Sequence, residues 1–168
     1  MSDLYRILLA LTVVFVVACS PDRGDATSPV VQDTRVSNVP LAQAGYAAFA
    51  VGDMDTVIGI MAPDLVWHEA ESLPYGGTYH GPDAVMENIF MALAGDWDDY
   101  EAEPRQFIDG GEHVVVTGEY RGVHRRHGGR LQSPFVHIWR FVDGQLVEFH
   151  QHTDTALWLQ AAAEGAID

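Results

Sequence analysis

The spacing of apolar residues changes twice along the chain. Residues 7–18 form an almost unbroken apolar run, interrupted only by Thr12. At twelve residues the run is too short to span a bilayer as a mature helix, and Arg6 precedes it as a secretory signal requires. Residues 20–40 are polar and punctuated by Pro and Gly, the pattern of a flexible tether. From Leu41 onward, apolar residues recur at helical spacing. Ala42, Tyr46 and Phe49 predict a helix over Leu41–Val51, which Gly52 ends. Asp53 can cap a second helix carrying Val57, Ile60 and Met61, with Pro63 as its stop. Leu65–Ala70 is short and apolar-rich and predicts a strand. Glu71–His80, with Pro74 and Gly76-Gly77, predicts a loop. Pro82 opens a third helix to about Ala94, with Val85, Ile89 and Leu93 on one face.

The second half has a period of two. Asp99–Asp109, Glu112–Val123, Gly129–Val142 and Gln145–Thr153 predict four strands. Gly110-Gly111, Gly128-Gly129 and Asp143-Gly144 separate them as hairpin turns. Thr155–Ala163 closes the chain as a helix that Asp154 can cap. Helices segregated from an antiparallel sheet define an α+β class. The expected architecture is a curved sheet, antiparallel or mixed, wrapped around the N-terminal helices as a cone-shaped α+β barrel.

Charge narrows the partners. The net charge is −15 and all nine basic residues are arginine, so the surface repels nucleic acid and anionic membrane. Cys19 is the only cysteine. Val16-Val17-Ala18-Cys19-Ser20 resembles the lipobox of bacterial lipoproteins, which implies cleavage before Cys19 and acylation of its sulfur. The expected organisation is a signal peptide over 1–18, an acylated Cys19 and tether over 19–40, and a folded domain over 41–168. A tether of this length spans roughly 25 Å as a coil. These features predict a cell-envelope protein on the periplasmic side, held to the membrane by its lipid. Ser20 favours the outer membrane in a Gram-negative host. With its thiol acylated, Cys19 offers no disulfide, nucleophile or metal ligand.

Alternation sorts the candidate chemistry. Leu65, Trp67 and Glu69 share one face of their strand. In an apolar interior beside Trp67, a carboxyl group is desolvated and its pKa rises toward the range useful for proton transfer. The alternative places Glu69 at a strand end facing water. Phe135, His137, Trp139 and Phe141 share a face, where His137 serves either as a buried core residue or as a hydrogen-bond donor. Phe149, Gln151 and Thr153 line one side of the last strand, with His150, His152 and Asp154 on the other. The latter three would need His68 or His137 to complete a metal site, and neither a metal nor a cofactor is expected. Asp154 is a helix cap or a pocket-mouth acid. Tyr75 covers the pocket mouth or is an ordinary loop aromatic. Arg121, Arg125, Arg126 and Arg130 gather with His124 and His127 at one hairpin tip, as a solvated turn or as an anion or partner contact.

Four strings carry a family resemblance: Phe49-Ala-Val-Gly-Asp53-Met-Asp, Pro63-Asp-Leu-Val-Trp-His68, Gly81-Pro-Asp-Ala-Val85 and His137-Ile-Trp-Arg-Phe-Val-Asp-Gly144. In this order they resemble the nuclear transport factor 2-like superfamily, in its SnoaL-like and ketosteroid isomerase branches, over nearly all of residues 41–160. The resemblance implies the cone fold and a homodimer. It puts Glu69 where the isomerases keep their catalytic carboxylate, and His137 where they hold an oxyanion-binding aspartic acid. It makes Asp154 a match for a late proton-transferring aspartate in SnoaL-like cyclases. The family's helix tyrosine falls on Gly45, with Tyr46 one residue and about 100° away, so Tyr46 is expected to point elsewhere. The implied ligand is a small apolar molecule of ring size, gripped by Trp67, Trp139 and Phe149 and oriented by Gln151. The implied roles are an isomerase, dehydratase or hydrolase-type enzyme, a non-catalytic carrier or sensor, or an interaction module.

Overall fold

The computed structural model describes residues 36–163, so the apolar run, Cys19 and nearly all of the tether lie outside the described residues. Helix α1 (Val39–Ala50) is followed by α2 (Met54–Gly59). The Asp53 carboxylate accepts from Thr56 N at 3.1 Å and supplies the expected cap. Strand β1 (Met61–Glu69) and the short β2 (Gly77–His80) come next. The third helix is composite: α3 (Pro82–Val85), a π turn (Met86–Phe90) and α4 (Met91–Asp96). Then come β3 (Trp97–Gly110), β4 (His113–His124), β5 (Arg130–Val142) and β6 (Gln145–Thr153), with α5 (Thr155–Ala163) last. Among the described residues, no helix is long and apolar enough to cross a membrane.

The strands form one six-stranded sheet in the order β2-β1-β6-β5-β4-β3. Only β1 and β6 run parallel; the other neighbours are antiparallel. The sheet is mixed, curved and unclosed, as the α+β reading expects. Irregular register breaks β3 between Asp98 and Glu101 and again between Pro104 and Gln106. Such breaks bend a strand and increase its local twist. The concave face carries Leu65, Val114, Val116, Phe135, Phe141, Leu146 and Phe149, all nearly inaccessible to solvent, and the helices cover it. Val85, Ile89 and Leu93 are buried as their helical spacing predicts.

Two expectations need correction. Ile60 and Met61 do not extend α2, because Met61 already belongs to β1, pairing with Leu146. Pro63 lies within β1, in the stretch where register shifts between Met61 and Val66. A proline is tolerated there because no ladder hydrogen bond needs its missing N–H. The segment 71–80 is also not all loop. After Gly76 the chain turns back, and Gly77–His80 pairs with Val66–Glu69.

Candidate active site

Glu69 ends β1 with its side chain on the same face as Leu65 and Trp67, and it is 5% exposed. The water-facing alternative is therefore excluded. Its Oε2 accepts from Trp67 Nε1 at 2.8 Å. Burial raises its pKa from 4.5 to about 7, with the Trp67 hydrogen bond opposing the rise. Trp67 in turn stacks on Phe149, ring centroids 3.6 Å apart, because the parallel register sets these residues side by side.

Glu69 and His137 line the same cavity, beneath α1 and the π turn. The cavity leaves about 60 Å³ for the centres of water-sized molecules. Its walls are mainly apolar, including Phe49, Ile60, Ile89 and Phe90. Of the residues expected to meet a ligand, Trp67, Trp139, Phe149 and Gln151 all line it.

Tyr46 corrects the expectation drawn from its spacing. It points into the cavity, and its hydroxyl meets His137 Nδ1 at 2.5 Å. Gly45 explains why. A methyl group there would lie 2.9 Å from Ile60 Cδ1 and 3.2 Å from Trp139 Cη2, so the bare glycine lets α1 sit close to the sheet. The longer Tyr46 then reaches past it. On the other side of the imidazole, Tyr120 closes a very short hydrogen bond to Nε2.

His137 is thus not a free donor to a ligand, because tyrosine hydroxyls occupy both of its nitrogens. Burial lowers its pKa from 6.5 to about 3, so the ring is neutral at physiological pH. A neutral imidazole has one N–H and one lone pair. One tyrosine therefore donates to it and the other accepts. The tyrosine that accepts keeps its own O–H. That of Tyr46 is left for another partner, whereas that of Tyr120 has Tyr100 beside it, whose pKa burial raises and this contact lowers.

Gln151 anchors this chain. Its Oε1 accepts from the Ala70 backbone N–H at 3.2 Å, a group that can only donate. Its Nε2 therefore faces Tyr120 Oη, at 3.0 Å. Burial pushes the pKa values of Tyr46, Tyr100 and Tyr120 above the usual phenol value, so all three stay protonated. Tyr100 and Tyr120 line the cavity and were missed in the sequence reading. The period of β4 held the signal for Tyr120, since Val114, Val116 and Tyr120 share its buried face.

Trp139 supplies the cavity's unmet polar group. Its indole lies near enough to Tyr46 to oppose the rise in that hydroxyl's pKa. Yet Nε1 is fully buried, and the Tyr46 hydroxyl beside it is not placed to accept a well-formed hydrogen bond. A buried donor without a partner costs roughly 1–3 kcal/mol, and a ligand acceptor would recover it.

Two expected residues fall outside the cavity. Tyr75 does not cover a mouth: it is buried in the core, where its hydroxyl accepts from Trp97 Nε1 at 2.7 Å. Burial pushes its pKa up to about 12, with the Trp97 hydrogen bond opposing the rise. Asp154 is exposed and caps α5, its Oδ1 accepting from Ala156 N at 3.1 Å. The arginine-rich hairpin is exposed, with Arg125 paired to Asp98 and Arg121 to Glu119 and Glu103. His152 is exposed, and His150 faces away from the cavity with His68.

Comparison with known proteins agrees with this geometry. The family described as the SnoaL-like domain matches residues 42–149. An NTF2-like protein of Burkholderia thailandensis is 32% identical, covering 75% of this chain and 97% of its own, with a TM-score of 0.73. An NTF2-like protein of unknown function from Burkholderia pseudomallei is 34% identical over 74% of this chain and 96% of its own, with a TM-score of 0.68. TerC, co-crystallised with polyporic acid, is 26% identical over 76% of this chain and 98% of its own, with a TM-score of 0.69. A search of the curated proteins finds no match.

Proposed function

Since the chain belongs to the SnoaL-like domain family, we propose that its cavity binds a small, ring-sized organic molecule with a carbonyl-type oxygen and moves a proton on it, with Glu69 as the base. The observation that carries this reading is a carboxyl group with a pKa of about 7, buried in the same apolar cavity as an unpartnered indole N–H. The co-crystallisation of TerC with polyporic acid supports reading the cavity as a ligand site.

The residues suggest a division of labour. Ionised Glu69 takes a proton from carbon next to the carbonyl, and negative charge develops on the ligand oxygen. Trp139 N–H and the spare tyrosine O–H donate to that oxygen, already in place before the charge appears. Neutral His137 acts as a positioning residue that fixes the tyrosine hydroxyls. Glu69 then returns the proton to a different carbon, which is an isomerisation. Alternatively, the carbanion expels a neighbouring hydroxyl that leaves with a proton as water, which is a dehydration. The aromatic walls exclude competing water.

A panel of cyclic enones and β-dicarbonyl compounds in D₂O tests the proposal by NMR. The protein should accelerate deuterium uptake on at least one member, with a rate that rises with pH to a plateau above about 7. Glu69→Gln should slow that uptake by at least about 10²-fold while leaving binding intact. Binding, followed by quenching of Trp67 and Trp139 fluorescence, with no exchange on any compound would favour the carrier reading and reject the enzyme.

A further inference from the structure

We propose that the convex face of the sheet holds a divalent transition-metal ion, of the Zn²⁺ type, between His68 of β1 and Glu148 and His150 of β6. This site is separate from the cavity. Strand alternation sends Trp67 and Glu69 inward and His68 outward, and likewise Phe149 inward and Glu148 and His150 outward. Parallel pairing sets His68 beside His150, and their rings stack with centroids 4.2 Å apart. One nitrogen or oxygen from each of the three residues lies within 4.8 Å of the others. Two imidazoles and a carboxylate are a ligand set that Zn²⁺ accepts, with one position left open.

The surrounding hydrogen bonds already orient the ligands as such sites require. Thr78 Oγ1 lies 3.0 Å from His68 Nδ1, which leaves Nε2 to the ion. Arg140 Nε donates to Glu148 Oε2 at 2.9 Å, which leaves Oε1. His150 Nε2 and Glu148 Oε1 are 2.9 Å apart and share a hydrogen. The ion would take that hydrogen's place, and the proton would move to His150 Nδ1 or to solvent. Ligand atoms about a tetrahedral Zn²⁺ ion sit about 3.3 Å apart. Binding would draw these half-buried side chains together from their present separations of up to 4.8 Å. His80, paired in register with Val66, lies on the same face and flanks the site. The net charge of −15 raises the local cation concentration.

The test uses the full chain, stripped with chelator and titrated with Zn²⁺ by calorimetry and with Co²⁺ by visible absorption. One saturable equivalent is expected, with the d–d bands of a four- or five-coordinate ion. His68→Ala, His150→Ala and Glu148→Gln should each weaken binding at least about 10-fold. His152→Ala and Glu69→Gln should bind as the native chain does. Glu148→Gln keeps the side-chain shape and serves if a histidine variant loses its circular dichroism. No saturable binding, or affinity unchanged in all three ligand variants, would overturn the site.

Discussion

Glu69 shows how one side chain takes its chemistry from its neighbours. A carboxylate in the open would be fully ionised at neutral pH, whereas this one is poised near 7 because it has lost its water. A single hydrogen bond from Trp67 limits the rise. Hydrogen bonds to a charged group contribute about 1.5–3 kcal/mol, and each pKa unit corresponds to about 1.4 kcal/mol. Trp67→Phe keeps much of the stacking on Phe149 and deletes that donor. It should therefore raise the Glu69 pKa by a further 1 to 2 units or so. Carboxyl-carbon NMR titration checks this, and an unchanged pKa would mean that Trp67 contributes packing alone. Much of this arrangement was legible in the sequence: strand alternation sorted Trp67 with Glu69, His137 with Trp139, and Phe149 with Gln151 onto shared faces, and the family resemblance turned those faces toward the pocket. The tyrosines were not legible. Whether Tyr46 or Gly45 meets the cavity depends on how closely α1 approaches Trp139, a tertiary distance with no local signature. Tyr75 misled for a related reason, whereas Asp154 took the capping role, one of the two alternatives its position allowed. An aromatic in a loop, or an acid after a strand, looks the same in sequence whether it packs, caps or binds.

At the scale of elements, the sheet was more readable than the helices. Each hairpin carried its own turn residues, and Asp143-Gly144 adopts the positive φ pair of 50° and 80° that such a turn demands. β2 escaped notice because four residues beside a glycine pair show no period. The break in the third helix has no obvious signal in Met86–Phe90. Close strand packing is the feature that sequence could not place. A methyl group on Gly118 would lie 2.3 Å from the Glu103 carbonyl oxygen and 2.3 Å from Phe135 Cζ. The carbonyl cannot yield without opening the β3–β4 ladder, and the Phe135 ring is held by its packing on Tyr120 and His137. Gly118→Ala should therefore cost about 3 kcal/mol, the upper range for overpacking. Gly122→Ala on the same strand meets nothing nearer than 3.4 Å and should be neutral or slightly stabilising. Urea unfolding of the two variants compares them directly, and equal stabilities would contradict the account.

For the whole molecule, the two groups buried in one cavity make opposite demands on pH. His137 binds its proton less readily when folded, with a pKa near 3 against 6.5. Between those values the unfolded chain holds more protons, so stability rises with pH. Glu69 does the reverse: its pKa near 7 against 4.5 means the folded chain holds more protons between those values, and stability falls as pH rises. From 4.5 to 6.5 the two slopes largely offset each other. Below that window the imidazole destabilises the fold, and above it the buried carboxylate does. The proposed reaction needs Glu69 ionised, so the protein would act in the range where it carries the full cost of that charge. Glu69→Gln removes this cost and keeps the shape of the side chain. Urea denaturation should find the variant more stable than the native chain by about 3 kcal/mol at pH 8, with the gain shrinking toward zero near pH 4. A gain of the same size at both pH values would show that the substitution acts through packing and that the carboxyl group does not titrate as its burial requires.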